Sequence, residues 1–185
     1  MEDFFWNDFC DNYLELVKAR AYNEDGSMDE GQKSAVNTLH YCLNTLLKLF
    51  APFVPHIAEE LYASLFASEY KAKGSVHGRE QWPNIEGFAN HSESETLGAA
   101  CVELLEAVRK TKSEASVSIK YPVSQLRIAP ANYQQDINDL ESILSDLKAA
   151  GNIEHVELAS SLDNGTETEA GGFKVEVALA EQNAA

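Results

Sequence analysis

Lys33, Asn37, Tyr41, Asn44 and Lys48 follow one another at spacings of four, four, three and four, with His40 alongside. In a helix that spacing gathers them on one face. Amides so placed hydrogen-bond the Watson–Crick edges of splayed bases, an aromatic ring stacks on a base for about 1–3 kcal/mol, and lysines meet phosphates. A solvated helix face has the same composition, and the residues alone leave both readings open. Two further groups of cations pose the same question. Lys18 and Arg20 close a helical pattern, where positive charge complements the helix dipole as well as it would meet a phosphate. Arg109, Lys110 and Lys112 form the dense basic cluster of the chain and stand at the end of another helical pattern, with Lys120 and Arg127 further along.

No constellation for bond-making accompanies these groups. His56-Ile57-Ala58-Glu59-Glu60 sets a histidine and acids on one helix, as a zinc site would. Glu60, however, stands where a second histidine is needed, and no other His lies at ligand spacing. Ser, Cys and His never combine into a nucleophile motif, and no glycine-rich phosphate loop occurs. The sequence predicts no catalytic residue, metal or cofactor in this chain. Cys10, Cys42 and Cys101 are widely spaced within apolar helical patterns, which predicts reduced core thiols of a cytoplasmic protein rather than a disulfide framework. Glu2 and Asp3 occupy the place where a signal peptide needs basic residues, and the longest apolar run is broken by Lys48, Pro52 and Pro55, so no membrane span is expected. The formal net charge of -16 opposes general nucleic-acid binding, because phosphates must be neutralised by clustered Lys and Arg. Recognition of RNA therefore requires the few cations to be concentrated on one face.

The elements that must position these residues follow from periodicity. Phe5, Phe9, Cys10, Tyr13, Leu16 and Val17 predict an amphipathic helix from about Glu2 to Tyr22. Asn23-Glu24-Asp25-Gly26-Ser27 is a turn, and a second helix from about Asp29 to Phe50 carries the stripe described above. Pro52 and Pro55 end it, and a third helix runs from His56 to Phe66 with Glu59 and Glu60 in its first turns. Residues Ser68 to Ser94 read as a long connection anchored by Trp82, and a fourth helix spans Glu93 to Lys112. Val117, Ile119, Tyr121, Leu126 and Ile128 alternate as a strand region interrupted by Pro122. A helix through Ile137, Leu140, Leu144 and Leu147 stops at Gly151, and strands follow at Ile153–Leu158 and Phe173–Leu179.

Particular segments carry a resemblance as well. Cys10, Asp11, Tyr13, Leu14, Glu15 and Lys18 resemble a helix pattern of the valyl-tRNA synthetases. Pro52, Phe53, Pro55, Glu59, Glu60 and Leu61 are similar to an element shared by the valyl, isoleucyl and leucyl enzymes. Gly74-Ser75-Val76-His77 with Trp82-Pro83, and Arg109 to Glu114, resemble the link and the opening of a C-terminal module in the same family. Asn12, Ala51 and His56 depart from it, standing where relatives carry Trp, His and an aromatic that helps hold an anticodon base.

The resemblance implies an α+β chain: an antiparallel helical bundle of the class I synthetase anticodon-binding type, followed by a small α/β module. The expected domains are 1–92 for the bundle and its long connection, 93–115 for a linking helix that completes it, and 116–185 for the module. It further implies a C-terminal fragment of a valine-tRNA ligase. Its ATP and Mg would serve a catalytic domain elsewhere in the parent chain, and its partner would be valine tRNA, whose anticodons share A at the middle position and C at the third. Asn37, Tyr41, Asn44 and His56 would then meet bases, while Lys18, Arg20, Lys33, Lys48, Arg109, Lys110 and Lys112 meet phosphates. Two alternatives remain: the same role in a leucyl or isoleucyl enzyme, and a helical protein-interaction module without RNA.

Overall fold

A computed structural model describes residues 1–22, 29–78, 82–83 and 91–181. The chain forms two compact units, Met1–Tyr22 with His91–Ala185, and Asn23–Asn90. One unit boundary falls at Asn90–His91, beside the expected 92, and the first helical segment groups with the C-terminal residues.

In the first unit the N-terminal segment is not one regular helix. A π-helical stretch, Phe4–Tyr13, leads into α1, Leu14–Ala21, while Phe9, Leu16 and Val17 are buried as the apolar stripe requires. The fourth predicted helix is α5, Ser92–Glu114, with Glu93 and Glu95 in its first turn, where the positive end of the helix dipole favours them. The strand then begins after Pro122, whose ring removes a ladder donor, so Val117, Ile119 and Tyr121 lie outside it. Strands β1 (Val123–Pro130), β2 (Ile153–Leu158), β3 (Thr166–Glu167) and β4 (Phe173–Leu179) make a sheet of order β2-β1-β4-β3. β1 and β2 run parallel, and β4 is antiparallel to both β1 and β3.

The register of β1 against β4 shifts between Val123 and Gln125. That extra residue lets Val123 and Leu126, three apart, both turn into the core despite the two-residue period of a strand. The crossover from β1 to β2 runs through a 3-10 turn, Ile137–Ser142, and α6, Leu144–Gly151. Gly151 is the last helical residue, and the left-handed cap falls to Asn152 at φ 50°, ψ 56°. Gly151 also packs close to its neighbour, since a Cβ there would stand 2.7 Å from the end of the Ile153 side chain, which would have to shift. Leu104, Leu105, Val108, Leu126, Ile128, Leu140, Leu147 and Phe173 are fully buried in one core. Each such side chain contributes roughly 1.5–3 kcal/mol by leaving water.

The second unit is helical. α2, Glu30–Phe50, is capped by the Asp29 carboxylate, which accepts from the Gln32 amide. Proline at the first position opens α3, Pro55–Leu65, since its missing N–H is one that a helix start leaves unpaired. The long connection contains a further short helix, α4, Ala67–Lys73. Tyr62, Phe66 and Tyr70, spaced by four, carry one aromatic ridge across the break between α3 and α4, and Tyr62 and Phe66 are buried with Leu47, Ala51, Ala58 and Val76. The predicted turn at 23–27 lies within residues 23–28, outside the described residues, as do residues 79–81 and 84–90 of the connection.

Candidate nucleic-acid interface

The stripe on α2 stays on one side of the helix, within an arc of about 80° at the normal helical repeat. Its two halves nevertheless have different surroundings. Lys33, Asn37 and Tyr41 are exposed, Lys33 pairing at 2.7 Å with a Glu30 that is itself almost wholly in solvent. Asn44 is buried, and its amide donates to Glu69 Oε1 at 3.1 Å. The Lys48 side chain is 14% exposed, with Nζ 3.9 Å from Glu69 Oε2 and 5.8 Å from the centre of the Tyr62 ring. The Tyr62 hydroxyl donates to Glu69 Oε2 at 3.3 Å. Glu69 thus collects α2 and α3 onto α4, and burial outweighs its attraction in setting the Lys48 ammonium below its ordinary range. Asn44 is corrected from a base-reading residue to part of this internal network.

His56 is exposed in the first turn of α3, and His40 is exposed with its ring 4.6 Å from that of Phe66. Three residues later in the same helix, Glu59 accepts from the Ser75 hydroxyl at 2.8 Å and the Val76 amide at 3.1 Å. This pins the segment after α4 to the core. Trp82, expected to anchor the connection, is 62% exposed. Lys71 and Lys73, at the end of α4, are exposed too. Sequence reasoning missed Glu69, Lys71 and Lys73 because α4 was read as connection, although the Tyr62, Phe66, Tyr70 spacing signalled that the helix pattern continued.

Lys18, Arg20, Arg109, Lys110 and Lys112 of the first unit face inward or pair locally. Lys112 is 1% exposed and donates to the carbonyls of Ile119 at 2.8 Å and Gly151 at 2.7 Å. Burial lowers the pKa of its ammonium, and no phosphate can reach it, so its assignment as an RNA contact is withdrawn. Arg109 donates to Asn12 Oδ1 at 2.8 Å and to the Asp11 carbonyl at 2.7 Å. Asn12 is therefore a buried acceptor for that guanidinium. Arg20 pairs with Asp146 at 2.8 Å, and burial raises the Asp146 carboxyl while Arg20 opposes the shift. Lys18 and Lys110 remain exposed in surface pairs with Glu15 and Glu169. Two of the cations picked from sequence, Lys112 and Arg109, therefore hold the fold together.

Among the described residues, no three of His, Cys, Asp and Glu gather as a metal site would require, and no helix is long and apolar enough to cross a membrane. Cys10, Cys42 and Cys101 are free thiols, with burial pushing Cys101 up to about 12.

Residues 1–128 match the family model described as the anticodon-binding domain of tRNA ligase. The chain belongs to that family. This anticodon-binding domain is 45% identical over 159 residues to the valine-tRNA ligase of Anaplasma marginale, covering 86% of this chain and 18% of the relative. To the valine-tRNA ligase of Ehrlichia ruminantium it is 44% identical over 156 residues, 84% of this chain and 18% of the relative. To that of Wolbachia from Brugia malayi it is 40% identical over 179 residues, 97% of this chain and 20% of the relative. The chain spans about a fifth of the length of these curated relatives. The match ends within β1, so α6, β2, β3 and β4 lie beyond the part that defines the domain.

Proposed function

We propose that this anticodon-binding domain grips the anticodon stem and loop of valine tRNA within a valine-tRNA ligase. The family match over residues 1–128, with relatives all named valine-tRNA ligase at 40–45% identity, is the observation that carries the reading. On this reading the exposed half of α2 meets the RNA. Tyr41 stacks on a base, Asn37 bonds a base edge, Lys33 meets a phosphate, and His56 stands where relatives place an aromatic. Lys18, Arg20 and Lys110 sit outside the second unit and serve as peripheral phosphate contacts. Each lost base contact costs about 1–3 kcal/mol.

Holding the anticodon orients the acceptor end in a distant active site, so the contribution to catalysis is by positioning. ATP with Mg and the catalytic domain belong, on this proposal, to the remainder of the parent chain. The antiparallel bundle of the class I type is part of the same reading, supported by the family match and by the packing of α2 on α3 in the second unit. A protein-interaction module without RNA is favoured by one observation, the net charge of -16.

The test is titration of the chain with valine tRNA at low and moderate salt. Binding should weaken steeply as salt rises, because each phosphate contact releases counterions. Equal affinity for a tRNA carrying a different anticodon would sink the specific reading, and insensitivity to salt would favour the protein-interaction module.

A further inference from the structure

The second unit contains a cavity of about 350 Å³ lined by Lys48, Ala51, Pro52, Val76, His77, Gly78 and Trp82. Its volume lies near the lower end of the roughly 300–1,000 Å³ that small-ligand pockets occupy. Ala51 and Val76 are core residues, so the floor is fixed by packing. The Val76 wall is fixed again by Glu59, whose carboxylate holds the Val76 amide and the Ser75 hydroxyl. Pro52 adds apolar surface, and Trp82 brings a large aromatic ring left mostly in solvent. The polar groups are the Lys48 ammonium and the His77 imidazole. Among the described residues no carboxylate lines the cavity itself, and Glu69 and Glu59 stand 3.9 Å behind Lys48 and His77.

Lys48 is held at its place without being saturated. Its contact with Glu69 is 3.9 Å, beyond a good charged hydrogen bond, so its donors are open to an acceptor entering the cavity. An aromatic ring beside a half-buried cation suits one class of guest, a flat ring that carries acceptors and belongs to an anionic chain.

Resting on the proposed RNA-binding role, we propose that this cavity receives one unstacked nucleobase of the bound RNA, with Trp82 stacking on its face and Lys48 donating to its acceptor edge. The site would lie apart from the exposed half of α2. Glu59 and Glu69 act as positioning residues, the first through the Val76 wall and the second through Lys48.

The experiment uses the full chain carrying Trp6→Phe, which leaves Trp82 as its single tryptophan. Titrated with valine tRNA, its fluorescence should be quenched in step with binding. In the same background Lys48→Met should weaken binding about tenfold, while in the unaltered chain Trp82→Ala should do the same and Trp82→Phe should retain most of the affinity. Tight tRNA binding with unchanged fluorescence and no loss in Trp82→Ala would overturn the pocket and leave the RNA role standing. Failure of the unaltered chain to bind tRNA at all would overturn both. Trp82 is exposed, so its replacement leaves the fold intact, and quenching by an acidic peptide but not by tRNA would assign the cavity to a protein partner and overturn the proposal.

Discussion

The two units treat positive charge in opposite ways. The first holds twenty-one acids against nine Lys and Arg, and the second nine against five, so the chain's net -16 divides into -12 and -4. In the first unit Lys112 and Arg109 are engaged by backbone carbonyls and a buried amide, and Arg127 is clamped between Glu157 and Glu176. In the second, Lys33, Lys71 and Lys73 stand in solvent, and three of the five histidines lie there as well. A basic residue can meet a phosphate only where solvent reaches it, and two members of the densest cluster in this sequence, Lys112 and Arg109, are engaged from within. The less acidic unit exposes three of its four described cations against three of nine in the other, which is why the proposed reading puts the RNA there.

Substitutions can break this contrast, beginning with the strongest internal cation. Lys112→Met should remove two charged hydrogen bonds and strand two carbonyls, destabilising the chain by roughly 3 kcal/mol in urea unfolding. Its tRNA affinity, measured on the folded fraction, should be unchanged; a specific loss of affinity with normal stability would return Lys112 to the interface. Arg109→Ala should cost about 1.5–3 kcal/mol by leaving Asn12 Oδ1 and the Asp11 carbonyl without their donor.

Tyr41→Ala sharpens the other side: tRNA binding should fall by about 1–3 kcal/mol while thermal stability shifts little. Lys33→Ala is smaller still, changing stability by less than about 0.5 kcal/mol because its partner Glu30 is solvated, yet reducing the slope of log affinity against log salt by close to one. The pH dependence supplies a last, weak test. Burial sets the Lys112 pKa below 10.5, so between that folded value and 10.5 the unfolded chain binds more protons and stability rises with pH. Unfolding of Lys112→Met, followed over the same alkaline range, should lack that rise.

Much of the architecture was legible before any coordinates. Apolar spacing located α2, α3 and α5, and alternation located β2 and β4, because those segments are long or strongly periodic. The short elements were not legible. β3 has two residues, too few for a period to emerge, and α4, whose Tyr70 continues the Tyr62 and Phe66 spacing, is fixed by the bond to Glu69 from Asn44, 25 positions away. The left-handed residue stands at Asn152, one position beyond the Gly151 that ends α6.

For the interface, the family and its resemblance to valyl enzymes rested on residue types in order along the chain, and those the sequence determined by itself. The face of α2 was determined too, since helical geometry alone places Lys33, Asn37, Tyr41, Asn44 and Lys48 on one side. Which of them meet solvent was decided by tertiary structure, through α4 laying Glu69 over one end of that face. The same holds for Lys112 and Arg109, whose charge is written in the sequence while the carbonyls that absorb it are brought close only by folding.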